Sequence, residues 1–295
     1  MGILNQISWR LFDKTYWHQE QFQKQIFFEL NKSASNAVIV VGTSPVNCHT
    51  LKKINSNRVK TINFVTDDPW NPAHLSRWYL NSLAEYDLLI TPRRSTLNQL
   101  KQVSKGKVIY LPFAYNPQVH FEESQLTTDD FRRYSCDIMF FGGADKDRLP
   151  YICELIRSGL TVKLYGGYWE RYPETRPLTL GIVPPAELRK AVKASKIVLN
   201  LVRRSNRDGH VMRSFEVPAM GGCMLNEETE EHIEIFGSET LPFFRTPEEM
   251  VKQAKILIKS PELREKFVRL GKNKIVGGEN TYSDRLRTIL KEIES

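Results

Sequence analysis

The stretch that decides the fold is Ile197-Val198-Leu199-Asn200-Leu201-Val202-Arg203-Arg204-Ser205-Asn206-Arg207-Asp208-Gly209-His210-Val211-Met212-Arg213-Ser214-Phe215-Glu216-Val217-Pro218-Ala219-Met220-Gly221-Gly222-Cys223-Met224-Leu225. It opens with an apolar run that reads as a strand buried on both faces, as in a parallel sheet. A polar, cationic loop follows. A helix is expected over about 210–220, and a second short strand over Cys223–Leu225.

The same alternation extends in both directions. Downstream, helices are expected at 228–236, 261–272 and 281–292, with another starting at Thr246-Pro247 and a short strand near Leu241–Phe244. Thr246-Pro247-Glu248-Glu249 combines a hydroxyl cap, proline in the first turn and early acidic residues, and Ser260-Pro261-Glu262 repeats the signal. Upstream, strands are expected at Asp137–Phe141 and Thr161–Tyr165, each ending in Gly-Gly, and at Leu178–Val183. Helices are expected at 147–158 and 185–194. The first half repeats the rhythm, with strands at Ala37–Val41, Thr61–Val65, Tyr86–Ile90 and Val108–Leu111. Its helices fall at 16–32, 45–55, 72–84 and 94–103. Residues 114–135 are polar and acidic and break the pattern, so they are expected to link two domains. The expected organisation is a Rossmann-like domain over 1–130, a second over 131–280, and a helix over 281–295 packing back toward the first. Two such α/β units imply doubly wound sheets, whose ligands sit at the carboxyl ends of strands.

Composition narrows the class without choosing within it. The apolar and charged fractions are those of a globular chain, and no apolar run approaches the roughly 20 residues of a membrane span. The opening MGILNQISWRLFDK gives no expectation of a secretory signal or of myristoylation. Cys48, Cys136, Cys153 and Cys223 lack metal or redox spacing, which points to a reducing cytoplasm. The net charge is +8, with +5 on residues 1–135 and +3 on 136–295. That permits weak association with membrane surfaces or nucleic acid, without a basic stripe to specify either.

Three places carry candidate chemistry. The turn Gly142-Gly143-Ala144-Asp145-Lys146-Asp147-Arg148 lets backbone approach a phosphate, with Arg148 adding charge. The loop after Ile197–Leu201 brings Arg203, Gly209, His210, Val211, Met212 and Arg213 to a strand end and a helix start, a setting that fits a diphosphate. Glu216 stands in an apolar context, needs a partner, and can accept both hydroxyls of a ribose; Asp208 lies eight residues before it. Third, Asp67-Asp68-Pro69-Trp70 ends a strand, with His74 close behind. Asp67 and Asp68 can orient an acceptor hydroxyl or act as base, and Trp70, Trp78 and Tyr79 can stack on a sugar or pack the core. His49 and His74 are the strand-end histidines of the first half.

Phe215-Glu216-Val217-Pro218-Ala219-Met220-Gly221-Gly222-Cys223-Met224-Leu225 resembles the FE-x-P-A-x-G-G-x-x-L segment of the CgeB-like, spore-protein family of GT-B glycosyltransferases. Gly278-Glu279-Asn280-Thr281-Tyr282-Ser283-Asp284-Arg285 is similar to that family's closing H-T-Y-x-x-R, with Asn280 in place of histidine. Phe64–Pro69 resembles its DDP turn. The resemblance implies a GT-B fold with a nucleotide-sugar donor, a UDP- or GDP-sugar, in the second domain and no metal cofactor. It implies that Glu216 holds the ribose, that Tyr165-Gly166-Gly167 wraps the base, and that Asp208 stands where related retaining enzymes carry glutamate. Retention is therefore expected, with Asp208 and Asp68 as candidate catalytic residues. The acceptor stays open among glycan, protein and lipid-linked hydroxyls. A non-catalytic GT-B binding protein and a transferase acting on nucleic acid are the alternatives.

Overall fold

The computed structural model describes Asp13 and residues 18–73, 75–206 and 209–294. Two candidate residues, His74 and Asp208, lie outside that set. The chain divides into two compact units. One comprises the described residues of Met1–Pro112, Ser205–Asp208 and Thr288–Ser295; the other comprises Phe113–Arg204 and Gly209–Arg287.

The first unit begins with helix α1 (Gln19–Ser33) and strand β1 (Ala37–Val41), then α2 (Cys48–Ser56), β2 (Lys60–Phe64), α3 (Arg77–Leu83), β3 (Leu88–Thr91), α4 (Arg94–Val103) and β4 (Lys107–Tyr110). The strands form one parallel sheet in the order β1-β2-β3-β4. β-Branched residues dominate β1 because such side chains pack well on a pleated surface. One face buries Val40, Leu51, Tyr79, Leu83 and Leu89. The other buries Ile62, Leu88, Ile90 and Leu111 with Ile289, which the C-terminal residues contribute to this unit.

The second unit starts earlier than composition suggests. Its first helix, α5 (Thr128–Tyr134), lies inside the stretch expected to be a linker and is fixed by a reciprocal capping box between Thr127 and Asp130. Phe113–Val119 and the residues after it count with this unit, so the division falls after Pro112 and not at 130. The reason is ionic. Glu122 pairs with Lys193 and Lys272, and Glu123 with Arg189, whose guanidinium also covers Phe121. A polar, acidic stretch thus reads as linker from composition yet is strapped down by long-range cations.

The unit continues with β5 (Cys136–Phe141), α6 (Leu149–Arg157), β6 (Val162–Tyr165), α7 (Pro185–Ala194), β7 (Ser195–Asn200), α8 (Arg213–Ala219), β8 (Met224–Glu227), α9 (Glu230–Phe236), β9 (Phe243–Phe244), α10 (Pro247–Lys259), α11 (Pro261–Val276) and α12 (Tyr282–Glu294), whose end belongs to the first unit. Its sheet is parallel in the order β6-β5-β7-β8-β9. The order reverses between β5 and β7, which makes their carboxyl ends a topological switch point. The expected strand at 178–183 is instead a 3-10 turn, Arg176–Leu178, and a single bridge from Thr179 to Leu164. Pro177, Gly181 and the Pro184-Pro185 pair leave too little uninterrupted backbone for a ladder. The expected helix at 210–220 begins only at Arg213. The core of this unit joins Ile138, Phe140, Leu164, Ile197, Leu199 and Leu225 to Trp169, Phe244 and Leu257. Cys136 and Cys223 are buried within the unit, and burial pushes the Cys223 thiol up to about 12, so it is inert.

Candidate functional site

At the switch point β5 runs into Gly142-Gly143 and β7 into Leu201-Val202-Arg203. The loop after β5 is rigid. Asp145 accepts from the Arg148 backbone N–H at 2.9 Å, the Arg148 side chain returns to the Gly143 carbonyl at 2.9 Å, and Trp169 Nε1 donates to the Gly142 carbonyl at 2.8 Å. Gly142 and Gly166 both have left-handed φ values, +146° and +124°. A Cβ on Gly166 would stand 2.4 Å from the Gly142 carbonyl oxygen. Gly166→Ala is therefore expected to cost about 2–4 kcal/mol by strain and steric displacement; the urea midpoint would show it, and an unchanged midpoint would contradict this geometry.

Three guanidinium groups converge there. Arg213 is 8% exposed and donates to the Asn200 side-chain oxygen at 3.2 Å, the Phe141 carbonyl at 2.8 Å and the Leu201 carbonyl at 2.8 Å. It also lies over the Phe140 ring at 4.8 Å. Burial and the neighbouring charges of Arg148 and Arg203 bring its pKa down to about 9. Arg148 is 4% exposed, and its Nε is buried with no hydrogen-bond partner. Burial lowers its pKa, and Arg203 adds to the effect against the opposing pull of Asp145. Arg203 is half-exposed, with its Nε 3.5 Å from Asp145. Arg204 turns away to Glu227 and the Tyr151 hydroxyl. Asp145 pairs with Arg148 at 3.4 Å and Arg203 at 3.5 Å, while the carboxylate acting most strongly on Arg213 is Glu216. Three neighbouring cations, with the buried Arg148 Nε an orphaned donor, form a setting that recruits an anion.

This changes the expected role of Arg213. Sequence reading makes it a fork for a diphosphate, yet the side chain spends its donors binding the end of β5 to the end of β7. It staples the switch point and contributes charge. Val211 and Met212 enter α8 through a tight turn in which Ser214 N–H donates to the Val211 carbonyl and Ser214 Oγ accepts from Val211 N–H. Met212 is exposed. His210 is fully buried, and both ring nitrogens are occupied: Nε2 accepts from the Phe113 N–H at 3.1 Å and Nδ1 lies 2.5 Å from Glu231. It packs the site from beneath. Gly209 has φ +102°, and a Cβ there would meet Glu231 at 3.1 Å, so its glycine serves this same buried pair. His232 is also enclosed, between Ser214 Oγ and the Glu227 carbonyl, and burial holds its pKa down at about 3. Tyr165 is buried, and desolvation raises its hydroxyl pKa, so its side chain packs within the unit.

Glu216 sits one turn into α8. Its side chain is 15% exposed, and no hydrogen bond reaches the carboxylate among the described residues. Burial raises its pKa to about 7, opposed by the charge of Arg213. His120 Nε2 stands 3.7 Å from Glu216 Oε1. Because His120 Nδ1 accepts the Asn116 N–H at 3.1 Å, the neutral ring carries its proton on Nε2, facing that carboxylate. Burial, and then the charge of Arg189, hold the His120 pKa below its ordinary value. Sequence reading missed His120, because nothing in a polar loop marks one histidine. It also missed Tyr168, an exposed ring held by a left-handed backbone (φ +75°) beside Gly143 and under Arg171. The Tyr-Gly-Gly-Tyr repeat at 165–168 was the available signal.

In the first unit Asp67 and Asp68 part company. Asp68 is buried, accepts from the Trp70 N–H at 3.0 Å and caps the turn. Asp67 lines a cavity and accepts from Asn206, which belongs to the same unit, at 3.3 Å. Trp70, Trp78 and Tyr79 pack the core, with the Tyr79 hydroxyl on Asn63 at 3.0 Å. Among the described residues no cluster of three His, Cys, Asp or Glu side chains is placed to hold a metal ion, and no helix is long and apolar enough to cross a membrane.

Two parallel Rossmann-like sheets, with a cationic crevice at the switch point of the second, define the class: an α/β chain of the GT-B glycosyltransferase fold. Residues 148–291, just under half of the chain, match the family model described as glycosyl transferase-like. The match supports reading the chain as a glycosyltransferase. No curated protein matches the sequence. Among solved structures, sucrose-phosphate synthase from Thermosynechococcus elongatus superposes with TM-score 0.67 at 10% identity, covering 94% of this chain and 79% of that one. The Anabaena protein HepE in complex with UDP and glucose gives 0.64 at 12% identity, over 99% and 83%. A putative UDP-N-acetylglucosamine 2-epimerase from Listeria monocytogenes gives 0.53 at 13% identity, over 88% and 76%.

Proposed function

We propose that this protein transfers a sugar from a nucleoside-diphosphate sugar to a hydroxyl acceptor. The observation that carries the reading is the pairing of the Arg148, Arg203 and Arg213 cluster with Glu216, a nearly buried carboxylate that accepts no hydrogen bond among the described residues. The cations take the diphosphate and stabilise it as a leaving group; Glu216 accepts the ribose hydroxyls. The neighbour solved with UDP-glucose makes that compound the first donor to test. A metal-independent, retaining transfer fits this arrangement, because arginines supply the charge at the diphosphate. The CgeB-like assignment rests on the 215–225 and 278–285 segments, and the free cysteines favour a cytoplasmic setting.

Glu216 also gives a pH signature. Its pKa is about 7 when folded, so it is ionised above that pH and protonated below. A protonated carboxyl is a poor acceptor for two hydroxyls. Affinity for UDP-glucose should therefore fall from pH 8 to pH 6, by roughly tenfold per unit once below pH 7. Calorimetric titration across that range checks it; a flat profile would remove Glu216 from the donor site.

A further inference from the structure

Several elements of the second unit face Glu216. Arg213, on the same helix, favours its charge. Tyr282 of α12 stands close enough that burial and then the Glu216 charge push its hydroxyl up to about 12. Arg285, also of α12, donates to the Phe113 and Glu279 carbonyls and to Asn280 Oδ1. α11 meets α8 at Pro218 through Gly271. Among the described residues none of these donates a hydrogen bond to the carboxylate, and the one N–H donor aimed at it across a short gap is His120 Nε2, 3.7 Å from Oε1.

That ring is fixed by its own loop. The Asn116 carbonyl accepts the His120 N–H at 2.7 Å and the Val119 N–H at 3.0 Å. The Asn116 side chain accepts the Gln118 N–H at 3.0 Å, and the Asn116 N–H donates to His120 Nδ1 at 3.1 Å. Arg189 clamps the same loop from α7: it donates to the Val119 carbonyl at 3.0 Å and to Glu123 at 2.8 Å, and lies over the Phe121 ring. With Nδ1 accepting, Nε2 carries the proton of the neutral ring. The nearby Arg189 opposes a charge on that ring, so His120 serves as a neutral donor. An ionised carboxylate has about four acceptor positions, and two ribose hydroxyls fill two of them. In a nearly buried seat an unfilled position is costly. Closing the gap by about 0.8 Å brings Nε2 to hydrogen-bond distance.

We propose that His120 is a positioning residue of the donor site: its Nε2–H ties one Glu216 oxygen, which keeps the carboxylate ionised and aimed so that its free lone pairs receive the two ribose hydroxyls of the donor. This rests on the transferase reading above. It adds a residue outside 148–291, the part of the chain that matches the family model.

Two substitutions separate the two ring nitrogens. His120→Asn keeps an acceptor near the place of Nδ1 and removes the Nε2 donor; His120→Gln puts an amide N–H near the place of Nε2 and gives up the Nδ1 acceptor. Glu216 of the full chain, labelled with carbon-13 at its carboxyl and assigned by its loss in Glu216→Gln, is titrated by NMR without ligand. UDP-glucose affinity is then measured by calorimetry, after thermal melts have shown each variant folded. His120→Asn should raise the pH at which Glu216 ionises by about one, and so weaken UDP-glucose about tenfold at pH 6 but only about twofold at pH 8. His120→Gln should weaken it about threefold or less at pH 6. A Glu216 titration unmoved in His120→Asn, an affinity loss equal at both pH values, or greater harm from His120→Gln would overturn the proposal. The last pattern belongs to a ring that only closes its own loop. If the wild-type protein binds no UDP-glucose while His120→Asn still moves the Glu216 titration, the His120 contact is upheld and the transferase reading alone fails.

Discussion

Glu216→Gln is expected to reduce UDP-glucose affinity about 100-fold or more while making the free protein more stable at pH 8. The two effects have one cause. Burial raises the Glu216 pKa from its ordinary 4.5 to about 7, so holding the ionised form in the folded chain is costly. A group with a raised folded pKa contributes stability below its unfolded pKa and loses it as pH rises through the folded value. At pH 8 the wild-type protein has lost all of that contribution, of order 3 kcal/mol, at roughly 1.4 kcal/mol for each pKa unit. Glutamine does not titrate and escapes the cost. The stability difference should vanish near pH 4 and grow between pH 4.5 and 7, which thermal melts at several pH values would follow. Binding goes the other way, because two charge-assisted bonds to ribose are lost, each worth about 1.5–3 kcal/mol. A carboxylate kept ionised against its own burial is what a ligand site needs. If Glu216→Gln lowers stability at pH 8, the residue is structural and the donor assignment fails.

Arg213→Leu is the second large effect. The substitution strands the Phe141 and Leu201 carbonyls and the Asn200 side-chain oxygen, all buried or nearly so. Each buried neutral acceptor left without its donor costs about 1–3 kcal/mol. The ends of β5 and β7 would also lose the side chain that joins them, so donor affinity should drop with stability. Lysine cannot substitute, since one ammonium lacks the planar fork that reaches three acceptors in different directions. Denaturant unfolding of Arg213→Leu and Arg213→Lys would test this; a change below about 1 kcal/mol in both would show that the network is dispensable.

Much of this was legible in the residues. The β-branched run at 37–41, the proline-started helix at 185–194 and the Thr246-Pro247 cap each carry a local cause strong enough to fix an element. The Gly142-Gly143 turn is legible because glycine marks close backbone approach. Other features depend on partners distant in sequence. The order β6-β5-β7 follows from packing, so the switch point emerges only when strands are placed. Arg213 reads as a fork for a diphosphate because its loop is cationic, while the partners it meets, at the ends of β5 and β7, are set by packing. His210 looked like a ligand-facing histidine, but its partners, Phe113 and Glu231, lie 97 and 21 residues away. The 114–135 segment looked like a linker because its acids meet their cations on α7 and α11.

The central claim is that the crevice at the β5/β7 switch point captures a diphosphate. Calorimetric titration of UDP and of uridine into the wild-type protein and into Arg203→Met tests it most directly, since Arg203 is half-exposed and its removal leaves the core intact. UDP should bind far more tightly than uridine, added salt should weaken UDP alone, and Arg203→Met should cost UDP about tenfold and uridine nothing. Equal affinity for UDP and uridine, or UDP binding untouched by Arg203→Met, would contradict it.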